Sequence, residues 1–321
     1  DGGVVLSGHT DVVPADEDNW TGAPFLAMRR EQRIYGRGAV DMKGFIACVL
    51  ASAPALAAAD LARPLHIALT FDEEVGCRGA PILVSELVRT GPMPAAAIIG
   101  EPTGMRIIDA HKGCYEYTTR ITGLAGHGSV PAIGVNAVHY GARYVTRLME
   151  IGRLLEDRVR PDSPYDPPFT TVNVGVVNGG TARNVVAGDC VIEWEMRPVT
   201  RADAEFALAG VAAIEEELTA EMRTVHPAAG IETQTEGAVD GLEKVEESAA
   251  VELCRRLVGD LPAEVVSFGT EAGIFQAAGI PAVVCGPGSI EVAHRPDEYI
   301  EISQLEACLH MLANLQSHLS R

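Results

Sequence analysis

The feature that most constrains this chain is an alternation over its first hundred residues between short apolar runs and stretches of helical spacing. Val4-Val5-Leu6 is an apolar run that ends near Gly8 and opens into a polar loop. Phe45 to Ala59 is Ala-rich with helical spacing, interrupted by Pro54. His66 to Phe71 reads as a buried strand, Ala80 to Val88 as a helix, and Ala95 to Ile99 as another buried strand. Continuous apolar runs suit strands covered on both faces, and the helical segments between them provide the crossovers that parallel strands need. The order β-α-β-α-β predicts an α/β fold with a mainly parallel sheet. Ligands of such sheets collect beyond the carboxyl ends of the strands. The polar clusters HTD (9–11), DEE (72–74) and GEPT (100–103) each follow a predicted strand.

From Cys114 the texture changes. Tyr115 to Ile121, Val172 to Val177 and Cys190 to Met196 read as strands, the first two half-exposed and the third alternating. Asn136 to Leu155 is a long amphipathic helix, and Ala202 to Leu218 a second one before a strand near Ile231 to Gln234. That β-α-β-β-α-β order predicts a ferredoxin-like insert. The helix and strand pattern resumes with Val245 to Leu257, Ala282 to Val284 and Gln304 to Leu319. The expected organisation is one α/β domain from residues 1–112 and 236–321, with residues 113–235 inserted.

Composition removes other classes. Twenty-five Lys and Arg stand against 44 Asp and Glu, a net charge of −19, which repels phosphate backbones and anionic bilayers. Aromatics are 5%, leaving few platforms on which bases stack. No run of 18 or more uncharged apolar residues is present, so neither a membrane span nor a nucleic-acid partner is expected. Seven scattered cysteines with no CxxC argue against a disulfide framework or a four-cysteine zinc site, and suit a reducing cytoplasm. Asp1-Gly2-Gly3 reads as a turn entering a strand, with no initiator Met and no signal-peptide pattern.

Five motifs carry chemistry: HTDVVP (His9, Asp11), GAVDMKG (Asp41), DEEVG (Asp72, Glu73, Glu74), GEPT (Glu101) and AHRPDEY (His294). Taken singly, each has a plain structural reading. A histidine after a strand is commonly hydrogen-bonded, a DEE run is commonly a solvated face, and Gly-Glu-Pro-Thr forms turns and helix caps. Together, two histidines and several carboxylates without a cysteine form a donor set for zinc, cobalt or manganese in a hydrolytic site. In HTD, Asp11 is placed to brace the His9 imidazole. In DEE, adjacent side chains diverge, so one acid can bind metal while its neighbour serves as a general base.

In their order along the whole chain these five motifs resemble the co-catalytic zinc amidohydrolase and exopeptidase family, whose members include deacetylases, desuccinylases, aminoacylases and carboxypeptidases. The resemblance implies a zinc-exopeptidase-like catalytic domain that begins before Asp1, with an inserted dimerisation (lid) domain. It implies two Zn2+ (or Co2+) ions bridged by Asp41, which is followed by a cis peptide to Met42. His9 and Glu101 would complete one ion's set, and Glu74 and His294 the other's. Glu73 would be the general base, and Asp11 would orient His9. His127 in GHGSVP would stabilise the oxyanion from the partner subunit of a homodimer. Asn184 in ARNVV and Arg197 in EWEMRP would grip a substrate carboxylate. Without the resemblance, Asn184 is equally a turn residue and Arg197 a surface ion pair.

Three stretches, Ile98 to Gly113, Gly269 to Pro281 and Cys285 to Glu301, resemble the deacetylase branch rather than the desuccinylase branch, which carries a Ser-Asp-Gly-Arg-like run where this chain has Thr270-Glu271-Ala272-Gly273. Glu271 either caps a helix over Ala272 to Ala278 or adds negative charge near the site. The expected substrate is a small N-acyl amino acid. A desuccinylase, a general N-acyl-amino-acid amidohydrolase and a dipeptidase share the same site, and a catalytically silent metal-binding dimerisation scaffold is the alternative of another class. Cys77 and Cys285 read as small buried hydrophobes, Lys43 and Lys112 as solvated or paired, and Trp20 as a cover for the core.

Overall fold

A computed structural model of the chain describes residues 2–320; Asp1, where the turn reading begins, and Arg321 lie outside them. The chain forms two compact units, one running through His111 and resuming at Leu242, the other spanning Lys112–Gly241. The return falls at Leu242 rather than at 236 because the strand Gly230–Val239 stays paired with Cys114–Thr122 as far as Val239 opposite Cys114.

The first unit is built on a six-stranded sheet in the order Ala263–Val266, Ile107–His111, Ala282–Gly286, Ala96–Pro102, Val4–His9, Leu65–Thr70. The last four strands of that order run parallel. Ile107–His111 runs antiparallel to Ala282–Gly286, and Ala263–Val266 is parallel to it, so two strands absent from the sequence reading close one side of the sheet. Strand alternation divides the core between the faces. Val4 and Leu6 pack with helices Gly44–Ala58, Ala249–Val258 and Ile302–Leu319, while Val5 packs with Ala97, Ile99 and helix Ala272–Ala277. Each large aliphatic side chain buried in this way contributes about 1.5–3 kcal/mol.

Pro54 does not interrupt its helix, which runs unbroken over Gly44–Ala58 with Pro54 on the exposed side. The stretch Ala39–Ala58 is long and apolar enough by composition to cross a bilayer, although Asp41 and Lys43 interrupt its apolar run, and half of its apolar window is buried inside the protein. Phe45, Cys48 and Val49 carry that helix into the core. A small three-stranded sheet, Met28–Arg30, Arg33–Tyr35 and Tyr299–Glu301, joins the segment before Asp41 to the segment after His294.

The second unit is an antiparallel sheet in the order Gly230–Val239, Cys114–Thr122, Asp189–Arg197, Thr171–Gly179. Numbered by chain position the order is 4-1-3-2, which is the ferredoxin-like arrangement. Helices Ala137–Glu156 and Arg201–Arg223 start at residues whose side chains accept from free backbone N–H groups: Asn136 from Val138 and His139, and Thr200 from Asp203. Their apolar faces, including Tyr144, Leu148, Val211 and Ile214, pack with Tyr117, Ile192 and Trp194 of the sheet. Tyr117 and Trp194 stack at 4.3 Å. All seven cysteines are outside disulfides.

Candidate metal centre

The site of the first unit is assembled at strand ends and in three irregular loops. His9 is the last residue of its strand, and Ser7 is paired opposite Ile99 of the neighbouring strand. Two residues further on, His9 and Glu101 therefore emerge on the same face. Glu101 lies within the strand Ala96–Pro102 rather than in a turn after it. Asp41 sits in a break between Gly38, at φ +81°, and the following helix, and the Asp41–Met42 peptide is cis. Glu73 and Glu74 occupy a tight turn in which Gly76 N and Cys77 N donate to Glu73 O at 3.0 and 2.9 Å. Asp72 and Cys77 on either side, and His294 in its own loop, adopt left-handed backbone conformations uncommon for residues other than glycine.

These elements bring six predicted ligand atoms together. His9 Nε2 lies 3.0 Å from Asp41 Oδ1 and 3.7 Å from Glu101 Oε1. His294 Nε2 lies 3.0 Å from Asp41 Oδ2 and 3.2 Å from Glu74 Oε2. His9, Asp41 and Glu101 thus form one ligand group and Asp41, Glu74 and His294 another, each with its donor atoms within 4.8 Å of one another. Asp41 belongs to both and presents a different oxygen to each histidine.

The electrostatics point to missing positive charge. Burial would lower the His9 imidazole, yet its bond to Asp41 and the charges of Glu101 and Glu73 raise it to about 11. Bonds to Asp41 and Glu74 raise His294 to about 10. Burial would raise Asp41, but its two histidine partners hold it well below the usual carboxylate range. Burial pushes Glu101 well above that range and Glu73 up to about 7. Oε1 of Glu74 and Oε1 of Glu101 are buried without a hydrogen-bond partner. Imidazole and carboxylate donors, a shared carboxylate and unpartnered buried oxygens together fit two divalent cations. Without them, protons on the histidines supply the positive charge.

Asp11 braces His9 differently from the sequence reading. His9 Nδ1 is 3.0 Å from the main-chain carbonyl of Asp11, whereas the Asp11 carboxylate is at 3.6 Å and accepts instead from Glu74 N at 3.1 Å. Donation from Nδ1 to that carbonyl fixes the ring so that Nε2 faces Asp41, donating to Oδ1 at 3.0 Å while protonated and offering its lone pair to a cation once that proton is lost. Asp11 therefore ties the His9 strand end to the Glu74 turn.

Glu271 does not cap the helix that follows it. The Thr270 hydroxyl accepts from Ala272 N at 3.1 Å, while Glu271 is buried, receives the Ser7 hydroxyl at 3.5 Å, and is raised by burial to about 7. The sequence reading also passed over Glu298 and Arg37. Glu298 Oε1 accepts from Val40 N at 2.9 Å and Asp41 N at 3.2 Å, and Oε2 accepts from Arg37 Nη1 at 2.6 Å. Glu298 belongs to the quoted AHRPDEY motif, which was the available signal; Arg37 had none beyond its place between two glycines. Trp20 is only half buried, with the Arg37 guanidinium 5.2 Å from its ring centre.

The remaining predicted residues lie in the second unit. His127 pairs with Val185 across a two-stranded ladder, and Gly128 N donates to Asn184 O at 2.8 Å, so His127 and Asn184 are neighbours. His127 Nδ1 meets Ser129 Oγ at 2.7 Å. Arg197 ends its strand and donates through Nε and Nη2 to Glu195 Oε2 at 3.0 and 2.8 Å, the ion pair that its sequence context also allowed. A further grouping, Cys114, Glu116 and Glu195, is partly solvent-exposed, and its Glu195 is engaged by Arg197.

A mainly parallel α/β sheet with paired histidine and carboxylate sets at its rim is the architecture of a metal-dependent hydrolase. Residues 5–318 match the model of peptidase family M20/M25/M40, and the chain belongs to that family. Among curated relatives, an acetylornithine deacetylase of Yersinia pestis is 35% identical over 317 residues, covering 99% of this chain and 79% of that protein. The fold is shared with a tripeptidase of Staphylococcus aureus, at TM-score 0.74 and 21% identity, covering 100% of this chain and 81% of that one. It is also shared with a dinuclear metal-binding M20 peptidase of Bacillus subtilis, at TM-score 0.63 and 17% identity, covering 99% and 82%.

Proposed function

We propose that the protein is a dinuclear metal-dependent deacylase of N-acyl amino acids, cleaving N-acetyl-L-ornithine to L-ornithine and acetate in arginine biosynthesis. The observation that carries the metal chemistry is Asp41, one carboxylate divided between two histidine and carboxylate sets. The substrate rests on curated relatives named acetylornithine deacetylase at 33–38% identity.

In this reading His9, Asp41 and Glu101 would hold one Zn2+ or Co2+, and Asp41, Glu74 and His294 would hold the other. Such ions polarise the scissile carbonyl and make water a stronger acid. Glu73 then receives a proton from the attacking water and passes it to the departing amine. A carboxyl next to the attacking water can take that proton and return it, and the turn that starts at Glu73 fixes its place beside Glu74. Arg197 and Asn184 bind the substrate carboxylate; to do so bidentately, the Arg197 fork must exchange Glu195 for substrate. His127 stabilises the developing oxyanion from the partner subunit of a cytoplasmic homodimer.

The test of substrate is turnover by metal-loaded protein on N-acetylornithine, N-succinyl-diaminopimelate, other N-acetyl amino acids and dipeptides. Preference for N-acetylornithine is expected, and preference for the succinyl compound or a dipeptide discards the assignment. The test of the partner is to mix His127→Ala with Glu73→Ala protein. Heterodimers should regain part of the rate, and no gain despite demonstrated subunit exchange removes His127 from that role.

A further inference from the structure

The loops that carry Asp41, His294 and the segment after His9 converge on one buried ion pair. The Arg37 and Glu298 side chains are 4% and 0% exposed and meet at 2.6 Å. Arg37 also reaches Arg295 O and Pro14 O, each at 3.5 Å, and Gly36 N donates to Glu298 O at 3.0 Å. Pro14 belongs to the loop following His9 and Arg295 is next to His294. On the other side of the pair, Glu298 Oε1 accepts both backbone N–H groups at Val40 and Asp41. Asp41 lies in a break where regular helical bonding does not fix its backbone.

We propose that Arg37 and Glu298 are positioning residues for the shared carboxylate, setting the orientation in which Asp41 Oδ1 faces His9 and Oδ2 faces His294. Stability alone does not account for such a pair. Burying two charges costs several kcal/mol of desolvation, and well-packed apolar side chains of similar volume are commonly as stabilising or more so. Apolar side chains cannot accept the N–H groups of residues 40 and 41. A carboxylate can, and the arginine pairs with its other oxygen while tying down both neighbouring loops. The two cation sets share Asp41, so a tilt of that one side chain lengthens ligand distances in both. The set built on His294 is the more sensitive, because His294 is half exposed on a left-handed loop residue while His9 is buried at a strand end.

The inference rests on the dinuclear reading above, and the experiment separates the two. Metal-free wild-type protein and the variants Glu298→Gln and Arg37→Met/Glu298→Met are titrated with Co2+ by calorimetry, with near-ultraviolet circular dichroism as the check on folding. The double variant keeps the volume and leaves no charge unpaired, so it folds even where a single truncation does not. Wild type should take two Co2+ per chain. The double variant should bind the second Co2+ about 10–100-fold more weakly, the usual effect of removing a partner that orients a ligand, and should lose kcat with little change in KM. Glu298→Gln keeps an acceptor oxygen and should lose less. A folded double variant that binds two Co2+ with wild-type affinities overturns the positioning role and leaves the dinuclear reading standing. Wild type that fails to bind two overturns both.

Discussion

In the ferredoxin-like unit, Arg143 meets Glu221 at 2.6 Å and Arg147 meets Glu217 at 3.1 Å across two helices, with all four side chains roughly half exposed. In the parallel-sheet unit, Asp41 and Glu101 are buried, and the groups that face them are histidines rather than arginine or lysine. The first arrangement is screened by water and changes stability little. The second places Glu101 where ionisation is costly unless a cation arrives, and leaves Asp41 ionised only through its two histidine partners. One unit uses charge to keep a surface solvated, and the other stores an electrostatic deficit that binding relieves. A net charge of −19 therefore does not describe a uniform property of the molecule.

The contrast breaks most completely if Asp41→Ala still binds two cations. Both sets should fail together, with stoichiometry near zero by metal analysis and no rate above background. Next comes Glu73→Gln, expected to retain both cations while kcat falls about 10²–10⁴-fold. Parallel loss of metal would make Glu73 a ligand rather than a base.

A smaller effect concerns pH. Glu73 and Glu271 are raised to about 7, and His9 and His294 to about 11 and 10. Each group holds its proton in the folded state to a higher pH than in the unfolded chain. Its contribution is complete below the ordinary value and is lost as pH climbs through the raised one. Metal-free protein should therefore lose thermal stability as pH rises from about 4.5 toward about 10. Zinc requires unprotonated imidazoles, so the Tm gained on adding it should grow over the same upper range, worth about 2.7 kcal/mol at a hundredfold excess over Kd. Calorimetric scans of both forms at several pH values measure it. The smallest effect belongs to the other unit: Arg147→Ala should move the urea midpoint by less than about 1 kcal/mol in stability and shift with salt. A larger loss there would erase the distinction between the units.

Much of the site can be read without coordinates because each candidate ligand sits in its own short motif at a strand end or in a Gly- or Pro-bearing loop. His9, Asp41, Glu73, Glu74, Glu101 and His294 stand out for that reason. Glu298 did not, although it lies in the same motif as His294, because its role depends on a backbone segment far away in the chain. The Pro54 reading failed on a local rule, since a proline on the exposed side of a well-packed helix leaves no buried group unsatisfied. Ile107–His111 was missed because Asp109 and His111 break up the continuous apolar run that marks the other buried strands.

Hydrophobic periodicity and motif chemistry by themselves determined the alternation of strands and helices, the change of texture near residue 113 and the kinds of donor at the sheet rim. These are properties of neighbouring residues, and local sterics and burial act on them directly. Only the tertiary structure decided which oxygen of Asp41 faces which histidine, that Asp11 uses its carbonyl rather than its carboxylate on His9, and that Arg37 and Glu298 clasp three loops. Those outcomes depend on the direction of side chains brought together from distant segments, which packing sets and spacing along the chain does not encode.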